Sequence, residues 1–447
     1  MNEVTLLGRL GDPASGAART FLKRNKVPLR WIDLDRDPLS GLLADGELAG
    51  VSFPLALFAD GGRLEGPSRY VERTAPRSLR PRSEEPDPAL RKAYRESRRW
   101  IAALAAGAGL PTRPEHDTYD LIVNGAGPAG LTAAVYAASE GLRTLVTEWQ
   151  APGGQAGTSS RIENYPGFPD GVSGAELAAG AYEQACRLGA EVLIGAGAMS
   201  AGRAEDGMIE VQLASGSTVC ARSSIVAGGV VYRQLDAPGV ESLIGRGVHY
   251  GSAPAAGPVY RGKRVAVVGG ANSAGQAALH LAEFAAHVTV LCRGEALDLS
   301  MSRYLTERIE QHERISVQTR TQVAGARGED WLEEVTVRAP DGDAAIPVKG
   351  LFVLIGGDPL TLGIRHWLHC DERGYVLSGA DVLAAGDEPA WPLPRDPMFL
   401  ETSQPGVFAA GDIRLGSIKR VASAVGDGAM AVSLVHSWLA GDEAPRR

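Results

Sequence analysis

The clearest pattern of apolar and polar positions in the chain lies in residues 121–148. The apolar run Leu121–Val123 ends in a glycine-rich turn at 124–130, and small and apolar residues at helical spacing follow the turn. A second apolar run at 144–147 ends in Glu148. Continuous apolar runs are typical of strands buried in a parallel sheet, and repeats of three to four residues are typical of covering helices. The pattern predicts a strand, a tight turn, a helix and a second strand that ends in an acid.

The glycines of this turn have the spacing of a dinucleotide-binding site, Gly-x-Gly-x-x-Gly. Gly125 permits the tight turn, Gly127 lets the backbone approach a pyrophosphate, and Gly130 lets the helix pack closely on the strand. In such sites an acid like Glu148 accepts a hydrogen bond from a ribose hydroxyl, and the free N–H groups of the helix attract phosphate. We therefore predict a first nucleotide site at this turn.

The first 80 residues show a series of shorter elements. The pattern predicts a strand at Val4–Leu7, a helix at Ser15–Asn25 and further strands at 28–34 and 53–58. This order indicates a small α/β domain over residues 1–80.

The following segment, residues 81–117, changes in character. It begins with charged and proline-rich sequence, which is typical of a linker. Residues 89–106 then have the composition of a helix, with Tyr94, Trp100 and Leu104 on one apolar stripe. We predict a linker and a connecting helix ahead of the main body.

The size and charge of the chain limit its class. A length of 447 residues exceeds one ordinary domain, so two or three domains are expected. The net charge of -8 argues against a nucleic-acid-binding surface. No apolar run is long enough to span a bilayer, and the N-terminus lacks the pattern of a secretory signal, so we expect a cytoplasmic protein without a membrane partner.

The cysteines show neither a CxxC pair nor the spacing of metal ligands. They are Cys186, Cys220, Cys292 and Cys370. Isolated cysteines of this kind are mostly small buried side chains. We therefore interpret them as packing residues and expect no metal centre.

Further motifs follow the first turn in a recognisable order. They are Ala151–Gln155, Ile162–Phe168, Ser224–Gly229, Leu235–Gly239, Arg264–Ala274, Leu351–Pro359, Pro405–Asp412 and Ala424–Gly428. In this order the chain resembles the low-molecular-weight thioredoxin reductases over about residues 119–440. The resemblance implies an α/β fold with two Rossmann-like domains: an FAD-binding domain formed by 118–235 and 356–447, and an inserted NAD(P)H-binding-like domain at 236–355.

The N-terminal region resembles a glutaredoxin or thioredoxin-like domain, and Val51–Pro54 occupies the place of the cis-proline of that family. Such domains carry a redox CxxC at the start of the first helix, whereas this chain has Gly11–Ser15 there, without sulfur. Disulfide exchange requires a thiolate. The domain is therefore expected to be a scaffold, a docking surface for a protein partner, or a relic.

The resemblance also implies which residues hold FAD. The first turn and its acid would bind the pyrophosphate and the adenosine ribose, Gly154 and Gln155 would wrap the cofactor, and Asn164 would face the flavin. Asp412 would hydrogen-bond the ribityl chain, and the helix after Lys419 would direct its N-terminus at the flavin. The full set is Gly125, Gly127, Pro128, Ala129, Gly130, Glu148, Gly154, Gln155, Asn164, Gly411, Asp412, Lys419, Arg420, Val421 and Ala424.

The matching turn of the inserted domain departs from the family pattern, because its second glycine is replaced by Ala271. A methyl group there occupies space that a pyrophosphate needs, so we expect a small shift of the turn or weaker nucleotide binding. Arg293, with Arg303 as a second charge, would hold the 2'-phosphate of NADPH, which favours NADPH over NADH, although Arg293 also fits a solvated surface residue. The implied contacts are Gly269, Ala271, Asn272, Ser273, Ala274, Arg293 and Arg303.

The largest departure from the resemblance lies just before the strand that leads into the second glycine-rich turn. Thioredoxin reductases carry a CxxC followed by an acid here, and this chain has Ser252, Ala255 and Ala256 in those places. Neither a hydroxyl nor a methyl group forms a disulfide, so we expect no disulfide relay and no thioredoxin reduction. His249, Tyr250 and Ser252 are the nearest candidates for acid–base catalysis, although His249 also fits a packed strand residue.

Three functions fit these features. The first is an FAD-dependent oxidoreductase in which NADPH, NADH or a small organic substrate exchanges electrons with a small-molecule acceptor or dioxygen directly through the flavin. The second is a ferredoxin–NADP reductase-like electron carrier, a class that also lacks the CxxC. The third is a non-catalytic redox sensor that holds FAD as a structural ligand. By analogy with relatives we expect a homodimer.

Overall fold

The computed structural model describes residues 2–9, 12–37, 50–70, 88–159, 162, 164–250, 257–386 and 391–441. The chain divides into two compact units. The first unit consists of Met1–Thr158, Ser173–Val230 and Pro359–Arg447, and the second of Ser159–Val172 and Val231–Asp358. The second unit includes the whole segment predicted to be the inserted domain.

A mixed sheet forms the N-terminal part of the first unit. Its strands are β1 Val4–Gly8, β2 Leu29–Asp33, β3 Leu55–Phe58 and β4 Arg63–Leu64. They lie in the order β2-β1-β3-β4, with β1 parallel to β2 and antiparallel to β3. Helix α1, Pro13–Arg24, connects β1 to β2, and it begins where Asp12 accepts the Ser15 N–H at 2.7 Å. The Phe53–Pro54 peptide bond is cis, at the proline indicated by the resemblance.

Helix α2, Pro88–Gly107, packs against this small sheet. Its residues Trp100, Ile101 and Leu104 are buried in one apolar cluster with Phe21 and Leu22 of α1. The apolar stripe predicted for the connecting helix therefore has a packing role, because it covers the face that α1 presents.

A larger sheet forms the main body of the first unit. Its strands are β5 Thr118–Asn124, β6 Thr144–Glu148, β7 Glu191–Ile194, β8 Ala198–Arg203, β9 Ile209–Leu213, β10 Thr218–Val226 and β21 Val407–Ala409. They lie in the order β7-β6-β5-β10-β9-β8, with β21 parallel to the last part of β10. Strands β5, β6, β7 and β10 are parallel, and β8 and β9 extend the sheet in antiparallel fashion.

The main body of the first unit contains four α-helices in the described residues. They are α3 Pro128–Ser139, α4 Gly174–Arg187, α7 Ala380–Ala385 and α8 Val421–Leu439. Helix α4 begins with a capping box, in which Ser173 and Glu176 exchange side-chain and backbone hydrogen bonds. Apolar residues of α3, α8 and the strands form one core cluster, which explains why β5 and β6 are continuous apolar runs.

The second unit contains a parallel sheet and an antiparallel sheet. The parallel strands are β12 Val248–Tyr250, β13 Arg264–Val268, β14 His287–Leu291, β15 Ile315–Gln318 and β19 Gly350–Val353, in the order β12-β19-β13-β14-β15. The antiparallel strands are β16 Gln322–Arg327, β17 Glu334–Ala339 and β18 Gly342–Pro347. The helices are α5 Asn272–Ala282 and α6 Arg303–Glu310. Strands β11 Val230–Tyr232 and β20 Gly357–Pro359 pair with each other in a separate two-stranded sheet.

Each unit thus contains a strand, a glycine-rich turn, a helix and a parallel strand, as predicted. In the first unit these are β5, α3 and β6, and in the second β13, α5 and β14. The α/β fold class with two Rossmann-like domains is confirmed. Within the described residues no helix is both long and apolar enough to cross a bilayer, and in the same ranges no cluster of His, Cys, Asp and Glu could hold a metal ion.

Candidate functional site

The turn between β5 and α3 has backbone positions that only glycine fits. Gly125 has a φ of 112°, and a Cβ on it would lie 2.5 Å from the carbonyl oxygen of Ala227. A Cβ on Gly130 would lie 1.8 Å from the carbonyl oxygen of Gly125. Other residues rarely adopt such a positive φ, and non-bonded heavy atoms do not approach so closely. The turn is therefore tight, and α3 packs directly on it.

Gly127 lies on the open side of this turn. It is the N-cap of α3, and the atom that a Cβ on it would approach is the Cα of Gly154, 4.0 Å away. Within the described part of the chain, no side chain caps α3, and Pro128 at its first position has no N–H. The other N–H groups of the first turn therefore remain available at the positive end of the helix dipole. These residues fit the pyrophosphate of FAD.

Glu148 ends β6 beside the turn, and only 6% of the residue is exposed. One carboxylate oxygen accepts the Ala126 N–H at 2.8 Å, and the other accepts the Gln150 N–H at 2.8 Å. Each carboxylate oxygen has two lone pairs, so both keep an acceptor position. The two backbone donors therefore fix the carboxylate where the sequence predicts the adenosine ribose, and they leave capacity for its hydroxyl groups.

The segment after β21 meets the first turn of α3. Gly411 has a φ of 75°, and a Cβ on it would lie 3.0 Å from the Cβ of Ala129. On α8, a Cβ on Gly428 would lie 2.2 Å from the Ala129 carbonyl oxygen. The fold thus brings Gly411 next to the first glycine-rich turn, and Asp412 follows it at the same edge of the sheet.

Charged side chains surround Asp412. The Lys419 ammonium group donates to the backbone carbonyl of Asp412 at 2.7 Å, and Arg414 lies 3.5 Å from Asp427. Asp427 also accepts the Gly411 N–H at 3.0 Å. Burial raises the pKa of the Asp412 carboxyl group, and the Lys419 charge lowers it. Asp427 was missed by the sequence analysis; the available signal was a lone acid inside a helix of small and apolar residues.

Helix α8 begins at the position that the resemblance implies for the flavin end of the cofactor. Arg420 is its N-cap, Val421 is its first residue, and Ala424 is buried. Among the described residues no side chain caps this helix. Its first N–H groups therefore remain available to a ligand, with the partial positive charge of the helix dipole behind them.

Three other residues of the implied FAD set lie outside these elements. Gly154 has a φ of 53° and faces Gly127 across the turn. Gln155 follows it and is exposed. Asn164 is also exposed and belongs to the second unit, whereas the other FAD residues belong to the first. A role for Asn164 beside the flavin therefore stays a prediction.

The second glycine-rich turn joins β13 to α5. Gly269 has a φ of 148°, and a Cβ on it would lie 2.5 Å from the Leu354 carbonyl oxygen. Ala271 is the N-cap of α5 with φ -104° and ψ 178°, close to the φ of -74° and ψ of -175° of Gly127. Any residue adopts this extended backbone conformation. The backbone at Ala271 is thus not distorted relative to Gly127, and Ala271 is exposed together with Asn272. Weaker nucleotide binding at this turn stays a prediction.

The loop after β14 is tied to this turn by hydrogen bonds. The Ser300 hydroxyl donates to the Gly270 carbonyl at 2.8 Å, and Asn272 accepts the Ser302 N–H at 2.7 Å. Arg303 follows directly, and its side chain is 91% exposed and pairs with Glu307 at 2.7 Å. The exposed Arg303 guanidinium group thus directly follows Ser302, which hydrogen-bonds to the turn.

Arg293 follows a second residue that lies against the turn. It follows Cys292, which is buried and whose Sγ would lie 2.7 Å from a Cβ on Gly270. Arg293 itself is exposed at the end of β14. Two residues that contact the second turn, Cys292 and Ser302, are therefore each followed by an exposed arginine. These arginines are Arg293 and Arg303.

Two of the catalytic candidates, His249 and Tyr250, are packed side chains at the end of β12. His249 Nε2 lies 2.6 Å from the Tyr260 hydroxyl, and its ring stacks on Phe352 with centroids 5.0 Å apart. The Tyr250 hydroxyl accepts the Leu235 N–H at 3.1 Å. These contacts favour a packing role for both candidates. Ser252, with the neighbouring residues up to 256, lies outside the described residues.

The His249 ring predicts a pH dependence of stability. Burial lowers the pKa of His249 to about 4, so the unfolded chain binds a proton at higher pH than the folded protein does. The free energy of unfolding should therefore decrease as the pH falls from about 6.5 to about 4, and this residue should contribute about 2 kcal/mol of that loss between about pH 7 and about pH 5. Urea denaturation of wild type and His249→Gln at about pH 7 and about pH 5 checks this. An equal pH effect in both proteins would contradict it.

The fold and these two turns define a class of protein: an oxidoreductase with two dinucleotide-binding domains. Residues 119–428 match the pyridine nucleotide-disulphide oxidoreductase family, and the chain belongs to this family. Thioredoxin reductases of this family are flavoproteins that bind FAD and NADPH. The cofactors predicted from the sequence, FAD with a nicotinamide nucleotide, are therefore those of the family.

Named relatives are thioredoxin reductases. The protein of Listeria innocua is 34% identical over 322 residues, which cover 71% of this chain and 92% of that protein. The bifunctional thioredoxin reductase/thioredoxin of Mycobacterium leprae is 34% identical over 340 residues, 74% of this chain and 68% of the relative. The crystal structure of the Streptococcus pyogenes enzyme superposes with a TM-score of 0.63 at 31% identity, covering 73% of this chain and 99% of that one.

Proposed function

We propose that this protein is an FAD-dependent oxidoreductase that transfers electrons between NADPH or NADH and a small-molecule acceptor or dioxygen, without a disulfide relay. The observation that carries the proposal is a contrast within one chain. Both glycine-rich turns have the backbone geometry of nucleotide sites, whereas Ser252 and Ala255 stand where the resemblance places the redox cysteines. When bound, FAD would supply a two-electron acceptor and donor.

The residues of the first unit support the FAD part of this proposal. The α3 N-terminus and Gly127 would bind the pyrophosphate, and Glu148 would accept the ribose hydroxyl groups. Asp412 would meet the ribityl chain, and Lys419 holds the Asp412 backbone in place. The α8 N-terminus would stabilise negative charge at the far end of the cofactor.

The second turn supports a nicotinamide nucleotide, and the two exposed arginines beside it support NADPH over NADH. Arg293 and Arg303 each follow a residue at the turn, and a guanidinium group binds phosphate through parallel N–H donors. Arg303 would have to exchange Glu307 for the phosphate. This exchange costs little, because an exposed ion pair of this kind contributes about 0.3–0.5 kcal/mol.

The prediction that the four cysteines are buried packing residues is correct for Cys292 and wrong for the others, because Cys186 is exposed and Cys220 and Cys370 are partly exposed. Two of the four support the absence of a relay. Cys292 is buried in the second unit, at 3% exposure. Burial raises the pKa of the Cys220 thiol, and the nearby carboxylates of Glu210 and Asp206 raise it further. The thiolate is the reactive form of cysteine, so both sites disfavour disulfide exchange.

Anaerobic titration of the purified protein with NADPH and with NADH tests the proposal. We expect the flavin absorption band to bleach with both nucleotides. The concentration needed for half of the bleaching should be lower for NADPH than for NADH. Readmission of air or addition of a small quinone should restore the band, and oxidised thioredoxin should not. If neither nucleotide bleaches the band, the NAD(P)H-dependent reductase is excluded in favour of an oxidase of a small organic substrate or a sensor. Reoxidation by a ferredoxin but not by small molecules would instead support an electron carrier.

Two further expectations stay predictions. The cytoplasmic location and the homodimer rest on analogy with relatives. The M. leprae relative combines a reductase with thioredoxin by name, whereas the N-terminal domain of this chain has no cysteine with which to accept electrons.

A further inference from the structure

The N-terminal domain contacts the main body of the first unit through the end of α1. Arg24 donates from one guanidinium nitrogen to the Gln150 side-chain oxygen at 3.1 Å, and from another to the Gly154 carbonyl at 3.0 Å. The Asn25 amide donates to the Gln150 carbonyl at 2.8 Å. Two adjacent residues of the small domain thus make three hydrogen bonds to the loop at 149–154, which we call the cofactor loop.

The cofactor loop is connected in turn to the first nucleotide turn. The Gln150 N–H donates to the carboxylate of Glu148, and Gly154 lies against Gly127. Both residues that Arg24 binds are therefore direct neighbours of residues in the candidate FAD site. A displacement of the loop would move the ribose acid and would open the side of the pyrophosphate turn.

An apolar interface fixes the small domain in this position. Ile194, at the end of β7, is buried in the same cluster as Phe21 of α1 and Ile101 of α2. A Cβ on Gly195 would lie 2.6 Å from the Cβ of Ala105, so the backbones approach closely here. Interiors packed in this way transmit displacements between neighbouring elements.

A second cation reinforces the same loop from α2. The Arg98 guanidinium lies over the Trp149 ring at 3.6 Å from its centroid, and Trp149 is the first residue of the cofactor loop. Burial lowers the pKa of the Arg24 guanidinium, and the Glu148 charge opposes this effect. A charged group that is desolvated in this way is retained where its hydrogen bonds and nearby charges compensate the cost.

We propose that the N-terminal domain is a fixed clamp for FAD, with Arg24 and Asn25 as positioning residues that hold the cofactor loop closed over the first nucleotide turn. The proposal rests on the proposed function, because it requires FAD at that turn. It gives the cysteine-free domain a role in cofactor retention. It also explains why α1 presents its C-terminal end to the body, while the start of α1, where redox domains carry their CxxC, makes none of these three hydrogen bonds.

The test compares FAD binding in four variants of the full chain. Arg24→Ala removes two of the hydrogen bonds, Asn25→Ala removes the third, and Arg24→Lys keeps the charge but not the paired donors. Lys23→Ala, an exposed cation in the same turn of α1, is the matched control. FAD affinity is measured by titrating the apoprotein and following the quenching of flavin fluorescence.

We expect the dissociation constant of FAD to rise about tenfold in Arg24→Ala, since hydrogen bonds to a charged group are among the stronger ones. Asn25→Ala should show a smaller rise, Arg24→Lys an intermediate one, and Lys23→Ala none. Hydrogen–deuterium exchange should accelerate in the peptide that covers the cofactor loop in Arg24→Ala, in the apoprotein as well as with FAD. A variant that only weakened the fold would accelerate exchange throughout the first unit.

The outcomes separate this inference from the proposed function. If the wild type does not bind FAD, the proposed function fails first. If the wild type binds FAD and Arg24→Ala binds it as tightly as Lys23→Ala, the clamp is wrong and the function stands. Unchanged exchange in the cofactor loop of Arg24→Ala would also overturn the clamp.

Discussion

Replacement of Gly130 by alanine should prevent FAD retention and destabilise the first unit. The new Cβ would lie 1.8 Å from the Gly125 carbonyl oxygen and 3.2 Å from Val123 Cγ1. The first of these atoms belongs to the backbone of the nucleotide turn itself, so relief requires the turn or the whole of α3 to move. Overpacking of this kind costs about 1–3 kcal/mol, and the turn would lose the geometry that the pyrophosphate needs.

The measurement is the ratio of flavin to protein absorbance after purification, together with urea denaturation. We expect Gly130→Ala to purify without flavin, which corresponds to at least about a hundredfold loss of affinity, or about 2.7 kcal/mol. Gly180→Ala is the matched control, because Gly180 lies in the exposed part of α4 with no atom within 4 Å of its added Cβ. It should keep its flavin and gain about 0.4–1 kcal/mol. A yellow and stable Gly130→Ala protein would contradict the assignment of this turn.

Local sequence patterns predicted the elements that hold the nucleotide turns. The two apolar runs form β5 and β6. Both faces of a parallel sheet are covered, so nearly every residue of such a strand is apolar and the run identifies the strand directly. The helix predicted at Ser15–Asn25 is α1 at Pro13–Arg24, and its start is set by Asp12. Here the sequence carried the start signal, since Pro13 after a capping acid marks a helix N-terminus.

Residues that contact the site across the fold could not be predicted in the same way. Arg24 and Asn25 lie in another domain, more than a hundred residues before the loop that they bind, and nothing in their local sequence differs from an ordinary helix end. Asp427 is similar, because its partner Gly411 is fixed only when α8 packs on α3. The family resemblance could not supply Arg24 either, since it begins at about residue 119.

The expectation about Ala271 shows a different limit of sequence reasoning. The missing glycine suggested a shifted turn or weaker nucleotide binding, because glycine at this position allows close approach of the phosphate. The structure has an extended backbone there, which does not require glycine, and Ala271 is exposed. Glycine spacing alone thus does not distinguish a position that needs a positive φ, such as Gly269, from one that needs only room for a ligand.

Replacement of Arg395 by alanine should destabilise the first unit by about 3–5 kcal/mol, because it leaves a buried carboxylate without its countercharge. The Arg395 guanidinium lies 2.6 Å and 2.9 Å from the two oxygens of Glu401, and the two side chains are 6% and 0% exposed. The Glu401 carboxylate also accepts the N–H groups of Met398 and Gly406, each at 2.9 Å. These bonds position the segment that leads into β21 and then to Gly411.

A double-mutant cycle by urea denaturation checks this expectation. Arg395→Met and Glu401→Gln should each be strongly destabilising, whereas the double variant should recover part of the loss, since no unpaired charge remains buried. Arg303→Ala is the matched control, because its pair with Glu307 is 91% and 53% exposed and should change the free energy of unfolding by less than about 0.5 kcal/mol. If Arg395→Ala cost no more than this control, the pair would be dispensable for the fold.

Because Gly406 precedes β21, the same variants should lose flavin at lower urea concentrations than they lose helix content, which would place the pair in support of the nucleotide turn.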